Sequence, residues 1–554
     1  MKAKKAFGRN LFFTTVLLLA AYLPVVYSNF MHHDDYWLLD VANKINSGQQ
    51  CRDLNQYYAG FQIGRPLTSE MVCLLAPMLT DTTDEQISHT YTFFKSLRLL
   101  NLLGFIAVFC SLTVTFRNYF RSNFFPLVIP ALILFLPGIG VFISWGLTAV
   151  YMPGLIFLVI SLLLARKLSS LRSFRQIKES TFLIPSALSV LSLFICFNFY
   201  PSTGFLYLCL PMTIITLSTM RSWKKFRLSA YLQIFIFTSS CVTYLFFHKI
   251  IVANILKEQI IGKEARSVSI GSFSEIVDRL DTFFAFNRNF FWRAANLWFL
   301  DIKNSQSNYI VAIILSGLFL AIVIIIIKLF KRGLPPNITL LCAGSERISL
   351  VIFILSCAGF LAVAHELVHQ SRILVAIAAN IVILLIWAIT YWTFIILKFL
   401  KSAKYRKRIL NGFGFVGIII TGLTAQYNTT QYFAQTSIME MSYFESRILP
   451  LLRKDLDGLI LIRPKGNFFI PGHEYGMPTS RWIAQYGIEG MLQMVARKYN
   501  LDYKSIKIKG ARRGSHVLFY RDGHLKNIDI MDMNNFVFRK QQKSIPLNSF
   551  DLLK

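Results

Sequence analysis

Eleven apolar runs divide this chain, each close to the roughly 17 to 25 residues with which an α-helix crosses a bilayer. Hydrophobic residues make up 54% of the sequence and the mean hydropathy is +0.50, which is more apolar surface than a water-soluble fold can bury. The sequence therefore predicts a polytopic α-helical membrane protein. The predicted spans are Leu11–Tyr27, Leu97–Thr115, Phe125–Ile143, Leu147–Ala165, Phe182–Phe199, Gly204–Met220, Tyr231–Phe247, Ile310–Ile327, Ile348–Ala364, Ile373–Ile396 and Leu410–Ala425.

The positive charge of the chain follows the same division. The formal net charge is +30, and the Lys and Arg residues lie mostly in short clusters between apolar runs, such as Arg166–Lys178 and Lys398–Arg408. Cytoplasmic loops of membrane proteins carry this excess, so the distribution argues against a nucleic-acid partner. We expect a cytoplasmic N-terminus and, because the number of spans is odd, a C-terminus on the outer face.

Two long loops and a terminal domain are expected outside the membrane. Residues 1–425 form the predicted transmembrane domain, with outer loops at about 28–96 and 249–308. Residues 426–554 have the composition of a soluble domain, so we expect a small extracytoplasmic α/β domain there. Strand-like patterns in this part occur at Gly458–Arg463, Ser505–Lys509 and His516–Tyr520.

A charged cluster, His32-His33-Asp34-Asp35-Tyr36-Trp37, follows the outer end of the first apolar run. Crowding two carboxylates beside two imidazoles at a membrane surface is unfavourable, because like charges raise one another's pKa and lose solvation there. Such crowding often marks chemistry, so the first hypothesis is an active site. Trp37 would either stack on a sugar ring or belong to the aromatic belt at the membrane interface. The alternative is a solvated loop whose acids and histidines only pair with one another.

A second candidate lies in the same outer loop, at Gly64-Arg65-Pro66-Leu67. On the same face as the acidic pair, Arg65 would hold those carboxylates ionised or bind an anionic ligand through two N–H groups. The alternative is a turn that leads into a short interfacial helix. Cys51 and Cys73 are the two cysteines expected near the outer face outside a span, so a disulfide between them is expected.

The third candidate is the hairpin His365-Glu366-Leu367-Val368-His369. It matches the zinc-protease pattern HExxH, in which two histidines bind Zn²⁺ and the glutamate activates water. Asp457-Gly458 would be the distant partner in an intramembrane metalloprotease, but Asp457 falls outside every predicted span. A second interpretation is a cationic patch of His365, His369 and Arg372 that faces a lipid phosphate. A third is a polar hairpin tip without a function of its own.

The order of three features near the N-terminus resembles a known family. The features are an N-terminal anchor, then Asp34-Asp35 with Trp37 close behind, then Gly64-Arg65-Pro66-Leu67. In this order they resemble the bacterial serotype-converting O-antigen glucosyltransferases, which belong to the GT-C class of membrane glycosyltransferases. The motif match covers about Leu11–Leu67. The resemblance implies a GT-C-like fold in the bacterial inner membrane and a donor sugar carried on undecaprenyl phosphate. It also implies Asp34 or Asp35 as the catalytic base; Asp34 is favoured, with Asp35 orienting it or holding a cation.

The expected function is therefore an inverting hexosyltransferase, with glucose as the favoured sugar, that modifies lipid-linked O-antigen or another surface polysaccharide on the periplasmic face. No cofactor is required, and a divalent cation beside the acidic pair is compatible with the chemistry. Two alternatives stay open: an intramembrane zinc metalloprotease, and a flippase or transporter of lipid-linked sugars. Besides the acidic pair, the candidate residues for donor phosphate and substrate are His33, Trp37, Arg65, His365, His369 and Arg372.

Overall fold

The protein is described here from a computed structural model. The described residues are 2–54, 65–79, 86–120, 124–171, 180–247, 294–298, 307–331, 338–365, 371–396, 403–453, 458–463, 485–501, 506–510, 516–521 and 524–529. Helices dominate this part of the chain. Their bounds are α1 Lys2–Tyr27, α2 His33–Asn46, α3 Pro66–Leu75, α4 Gln86–Tyr119, α5 Phe124–Leu134, α6 Pro137–Ser144, α7 Met152–Leu168, α8 Ser180–Phe199, α9 Pro201–Gly204, α10 Cys209–Leu217, α11 Met220–Phe247, α12 Ser307–Lys331, α13 Ile338–His365, α14 Ser371–Ile396, α15 Ala403–Tyr427, α16 Thr436–Leu452 and α17 Gln485–Lys498.

Within these residues, eight helices are long and apolar enough to cross a membrane, or nine if one bent pair forms a single span. The chain is thus a polytopic helical membrane protein, as the apolar runs predicted. Large apolar side chains are exposed along these helices, for example Phe235 on α11 and Phe319 on α12, where a bilayer would cover them. The full count of eleven spans stays a prediction.

Two of the predicted spans are broken helices. The predicted span Phe125–Ile143 is the pair α5 and α6, whose axes bend by 60° at the break before Pro137. Proline has no N–H to donate and fits the first turn of a new helix, which explains a break at this position. The predicted span Gly204–Met220 is a 3₁₀ turn, Phe205–Leu208, followed by the short helix α10.

The helix that contains the second predicted span begins before that span. α4 begins at Gln86, eleven residues before the predicted Leu97, and its apolar stretch runs from Ser88 to Tyr119. Arg98 therefore lies about three turns inside a long helix and is completely buried. The helix extends into what was expected to be outer loop.

A four-stranded sheet lies in the C-terminal part. Its strands are β1 Gly458–Arg463, β2 Ile506–Gly510, β3 His516–Arg521 and β4 His524–Asp529. They lie in the order β2-β1-β3-β4, with β1 parallel to β2 and antiparallel to β3. A parallel pair needs a long crossover connection, and α17 lies in the connection between β1 and β2. The first three strands match the strand-like patterns to within one residue, whereas β4 was missed.

The helices and turns that bear on the site meet at one end of the bundle. α2 packs against α17 and against the 3₁₀ turns Cys51–Asp53 and Ala76–Leu79. α3 packs against α8 and against the 3₁₀ segment Leu147–Tyr151, which α2 also contacts. The acidic cluster, Arg65 and part of the C-terminal region are therefore neighbours.

Candidate active site

Asp35 is fixed at the start of α2 by two backbone N–H groups. Its Oδ2 accepts a hydrogen bond of 2.8 Å from His32, the residue that caps this helix. Its Oδ1 accepts one of 2.7 Å from Leu147. The side chain is completely buried, and bonds from N–H groups to a carboxylate are among the stronger ones in proteins. Asp35 therefore orients the first turn of α2.

The segment Trp145–Tyr151, which Asp35 contacts, is itself tightly bonded. Asn101 on α4 donates from Nδ2 to the carbonyl of Trp145 at 2.9 Å and to the hydroxyl of Thr148 at 2.8 Å. The ring of His32 stacks on Trp145 with centroids 3.7 Å apart. A Cβ atom at Gly146 would lie 2.4 Å from the ring of Phe94, so only glycine allows this close approach.

Arg65 lies at the other end of this segment. Its side chain is buried, and its guanidinium carbon lies 4.1 Å from the ring centroid of Tyr200 and 5.9 Å from that of Tyr151. Its Nη1 also donates to the Tyr151 hydroxyl at 3.4 Å. Such stacking favours Arg over Lys, because the planar guanidinium matches a ring face.

Asp35 and Arg65 thus contact the two ends of one segment, Leu147–Tyr151. From Leu147 to Tyr151 a 3₁₀ helix makes four residue steps, which is a rise of roughly 8 Å along the segment. That the acidic pair and Arg65 lie on the same outer face of the membrane stays a prediction; the structure shows that Asp35 and Arg65 contact the same short segment. The sequence did not predict the segment that joins them, because Leu147–Tyr151 was included in the predicted span Leu147–Ala165.

Arg98 is a second buried cation at this end and was not among the predicted site residues. It donates from Nη2 to the carbonyl of Ser28 at 3.0 Å, and its guanidinium carbon lies 4.1 Å from the ring centroid of Phe30. The Asp35 carboxylate is close enough to interact with it electrostatically. The sequence did contain a signal that could have identified Arg98, because it is an arginine next to the predicted start of an apolar run, where a charge is rare.

The remaining predicted residues are placed only in part. His33 and Asp34 form the first turn of α2, and Trp37 lies half-buried one turn further on. His365 ends α13 and Arg372 is the second residue of α14. The side chains of these residues, apart from Trp37, lie outside the described part of the structure. So do residues 366–370, which include His369, and Asp457.

The described residues contain no group of three or more His, Cys, Asp or Glu side chains that could hold a metal ion. Because most of the HELVH hairpin lies outside those residues, its zinc-binding and phosphate-binding interpretations both stay predictions. The expected disulfide between Cys51 and Cys73 is present. It joins the turn after α2 to α3 and closes the loop that contains Arg65.

The C-terminal helix α17 supports α2 directly. Asn43 on α2 donates to Gln493 and accepts a hydrogen bond of 2.7 Å from Arg497. Gly490 lies against Tyr36, where an added Cβ would be 2.6 Å from the Tyr36 Cδ1 atom. The helix that carries the acidic pair is therefore fixed on both sides, by α17 and by the segment after α6.

Two interactions join the end of α17 to α16. Lys498 forms an ion pair of 2.8 Å with Glu445 on α16. The hydroxyl of Tyr499 also donates to Glu445, and this hydrogen bond to a carboxylate raises the pKa of Tyr499. α17 is thereby tied to α16 as well as to α2.

Comparison with known proteins identifies no family. No protein-family model matches the chain, and no curated protein matches its sequence significantly.

Proposed function

We propose that this protein is an inverting membrane glycosyltransferase. It transfers a hexose, most consistently glucose, from undecaprenyl phosphate to a lipid-linked O-antigen or other surface polysaccharide, the reaction of serotype conversion. The observation that carries the proposal is the double anchoring of Asp35, whose two carboxylate oxygens accept backbone N–H groups from His32 and Leu147. A helix start fixed in this way also holds the backbone of the neighbouring residue, Asp34, in place.

Asp34 is the catalytic base in this proposal. Both oxygens of Asp35 accept backbone N–H groups and its side chain is buried, so it is poorly suited to collect a proton from an acceptor sugar. Asp34 removes the proton of an acceptor hydroxyl while the oxygen attacks the anomeric carbon of the donor. The bond from that carbon to the phosphate oxygen breaks, and undecaprenyl phosphate leaves with the bonding electrons.

Arg65 stabilises the leaving phosphate in this proposal. Its burial among tyrosines strengthens its attraction for an anion, because the local dielectric constant is low. In this proposal the phosphate site is completed by His365 at the end of α13, by Arg372 in the first turn of α14, and by His369. His33 and Trp37, on the first two turns of α2, contact the sugar.

The membrane arrangement completes the proposal. We infer eleven spans in the bacterial inner membrane, a cytoplasmic N-terminus, and a C-terminal extracytoplasmic α/β domain formed by residues 426–554. The packing of α17 against α2 supports this arrangement, because two helices in contact outside the spans lie on one side of the membrane. The partners are then the lipid-linked donor, the lipid-linked acceptor and the surrounding lipid.

Exposed cysteines at two sites test the topology. Gln49, after α2, and Ser170, after α7, are both exposed in the structure. We expect Gln49→Cys in intact spheroplasts to react with an impermeant maleimide and Ser170→Cys to react only after permeabilisation. Reaction of Ser170→Cys from outside would reverse the proposed orientation.

The transfer itself is tested with purified protein in lipid nanodiscs. The probes are a synthetic polyprenyl-phosphate glucose with a radiolabelled sugar and a lipid-linked polysaccharide acceptor. We expect label in the acceptor, at a rate that falls by about two to four orders of magnitude in Asp34→Asn. In liposomes, movement of the donor across the bilayer without labelled acceptor would instead indicate a transporter.

A further inference from the structure

Arg98 is a charged side chain that the proposed reaction does not yet use. It lies in α4, within one of the helices apolar enough to cross a membrane, and none of its surface is exposed. A charged residue in such a helix is unfavourable unless it is paired, and such residues usually have a function. The contacts of Arg98 indicate what its function is.

Its contacts converge on the linker between α1 and α2, residues 28–32. Within α4, Nε donates to the carbonyl of Phe94 at 3.3 Å, which sets the direction of the side chain. Nη2 then donates to Ser28 in the linker at 3.0 Å, and the guanidinium covers the ring of Phe30. Since α1 ends at Tyr27, the cation also lies where a helix C-terminus favours positive charge.

The opposite end of this linker is held by the acidic site. His32 stacks on Trp145, and its N–H is bonded to Asp35. Arg98 and Asp35 therefore hold the two ends of a five-residue linker that enters α2 just before Asp34. Displacement of the linker at Ser28 would be transmitted to the first turn of α2 over a few residues.

We propose that Arg98 is a positioning residue, which fixes the linker of residues 28–32 and so places Asp34 for proton removal. The inference rests on the proposed role of Asp34. Lys cannot replace Arg98, because an ammonium group has no planar face to stack on the ring of Phe30 and its donors all radiate from one nitrogen. Arg98→Lys therefore keeps the positive charge but removes the planar guanidinium that makes these contacts.

The chain offers a matched control on the same helix. Arg117 lies near the other end of α4, and its guanidinium carbon is 4.0 Å from the ring centroid of Phe7. Both arginines thus join α4 to the N-terminal part of the chain by stacking on a phenylalanine. Only Arg98 contacts the linker, so Arg117→Lys reports the loss of such a stack away from the acidic site.

The first measurement is hydrogen exchange of the full-length protein in nanodiscs, and it does not depend on activity. We expect Arg98→Lys to accelerate exchange in peptides covering residues 28–36 and to leave α7 unchanged. Arg117→Lys should leave residues 28–36 as in the wild type. Unchanged exchange at 28–36 in Arg98→Lys, or exchange raised over the whole bundle, would overturn the inference.

The second measurement is steady-state transfer from polyprenyl-phosphate glucose. We expect Arg98→Lys to lower kcat by about 100-fold, the effect of roughly 1 Å of misplacement, with the donor KM within about twofold of wild type. In Asp34→Asn the further change Arg98→Lys should have little effect, because the base it positions is already absent. Equal fractional losses in both backgrounds would contradict a positioning role.

The two measurements distinguish a failure of this inference from a failure of the proposed function. A wild-type protein that transfers no sugar would refute the glycosyltransferase proposal, whereas the exchange experiment would still report whether Arg98 holds the linker. If the wild type transfers sugar and Arg98→Lys does so at the same kcat, the glycosyltransferase stands and the role of Arg98 is refuted.

Discussion

The Oδ1 atom of Asp35 accepts a 2.7 Å hydrogen bond from the backbone N–H of Leu147, although the two residues are 112 positions apart in the sequence. This bond joins the helix after the first span to the segment that follows the bent pair α5 and α6. In the proposed mechanism Asp35, held by two backbone N–H groups, orients the start of α2, and Asp34 is the catalytic base.

Asp35→Asn should therefore destabilise the protein. The amide keeps one acceptor oxygen, but its NH₂ group must face one of the two N–H groups that the carboxylate satisfied. A buried donor left without an acceptor costs about 1 to 3 kcal/mol. Thermal unfolding in detergent should show a lowered midpoint for Asp35→Asn and little change for Asp34→Asn. A lowered midpoint for Asp34→Asn with little change for Asp35→Asn would mean that the roles of the two acids are exchanged.

The contact between α17 and α2 predicts that Gly490→Ala is destabilising. A Cβ there would lie 2.6 Å from Tyr36 Cδ1 and 2.7 Å from Tyr36 Cβ, so one of the helices must move. Overpacking of this kind costs about 1 to 3 kcal/mol. Gly412→Ala is the control, because nothing lies within 4 Å of its added Cβ and alanine favours the helix.

Proteolysis measures the Gly490→Ala effect. Faster release of the C-terminal part in Gly490→Ala than in Gly412→Ala is the expected result. Equal cleavage rates in the two variants would show that α17 does not depend on this contact.

Arg65→Lys should weaken donor binding. The substitution keeps the charge but loses the planar stack on Tyr200, which contributes roughly 0.5 to 2 kcal/mol at a buried site. We expect the donor KM to rise by about two- to thirtyfold, in line with that energy. Arg52→Lys is the control, since Arg52 is exposed and its ion pair with Glu70 is of a kind that contributes little. Equal effects of the two substitutions would remove Arg65 from the phosphate site.

The disulfide between Cys51 and Cys73 should stabilise the loop that carries Arg65. The two cysteines are 22 positions apart, and a closed loop of this size contributes about 3 kcal/mol in the chain-entropy account. Thiol titration of the denatured protein should find two more thiols after reduction. Cys51→Ser and Cys73→Ser should lower the unfolding midpoint alike, and together no further than either alone. An unchanged thiol count after reduction would show that the bond does not form.

Much of the fold followed from local pattern. α7, α8 and β1 lie where apolar length or strand-like pattern predicted them, because burial in lipid or in a sheet is encoded within the segment itself. The break between α5 and α6 was missed, although Pro137 was a local signal for it. The continuous apolar character across the break favoured a single span.

The site was predictable only in its residue types. The sequence singled out Asp35 and Arg65 by charge, but their shared segment after α6 depends on contacts over more than 80 positions, which no local pattern contains. Arg98 was overlooked for a related reason. Its contacts are with Ser28 and Phe30, some 70 residues earlier in the chain.

The central claim is that Asp34 supports transfer of a hexose to a surface polysaccharide. Its most direct test is mass analysis of that polysaccharide from cells in which the chromosomal copy has been removed and replaced by the wild type or by Asp34→Asn, with equal protein in the membrane. We expect one added hexose per repeat unit with the wild type and none with Asp34→Asn. Identical masses for the deletion and the wild type, or an added hexose that persists with Asp34→Asn, would contradict the account.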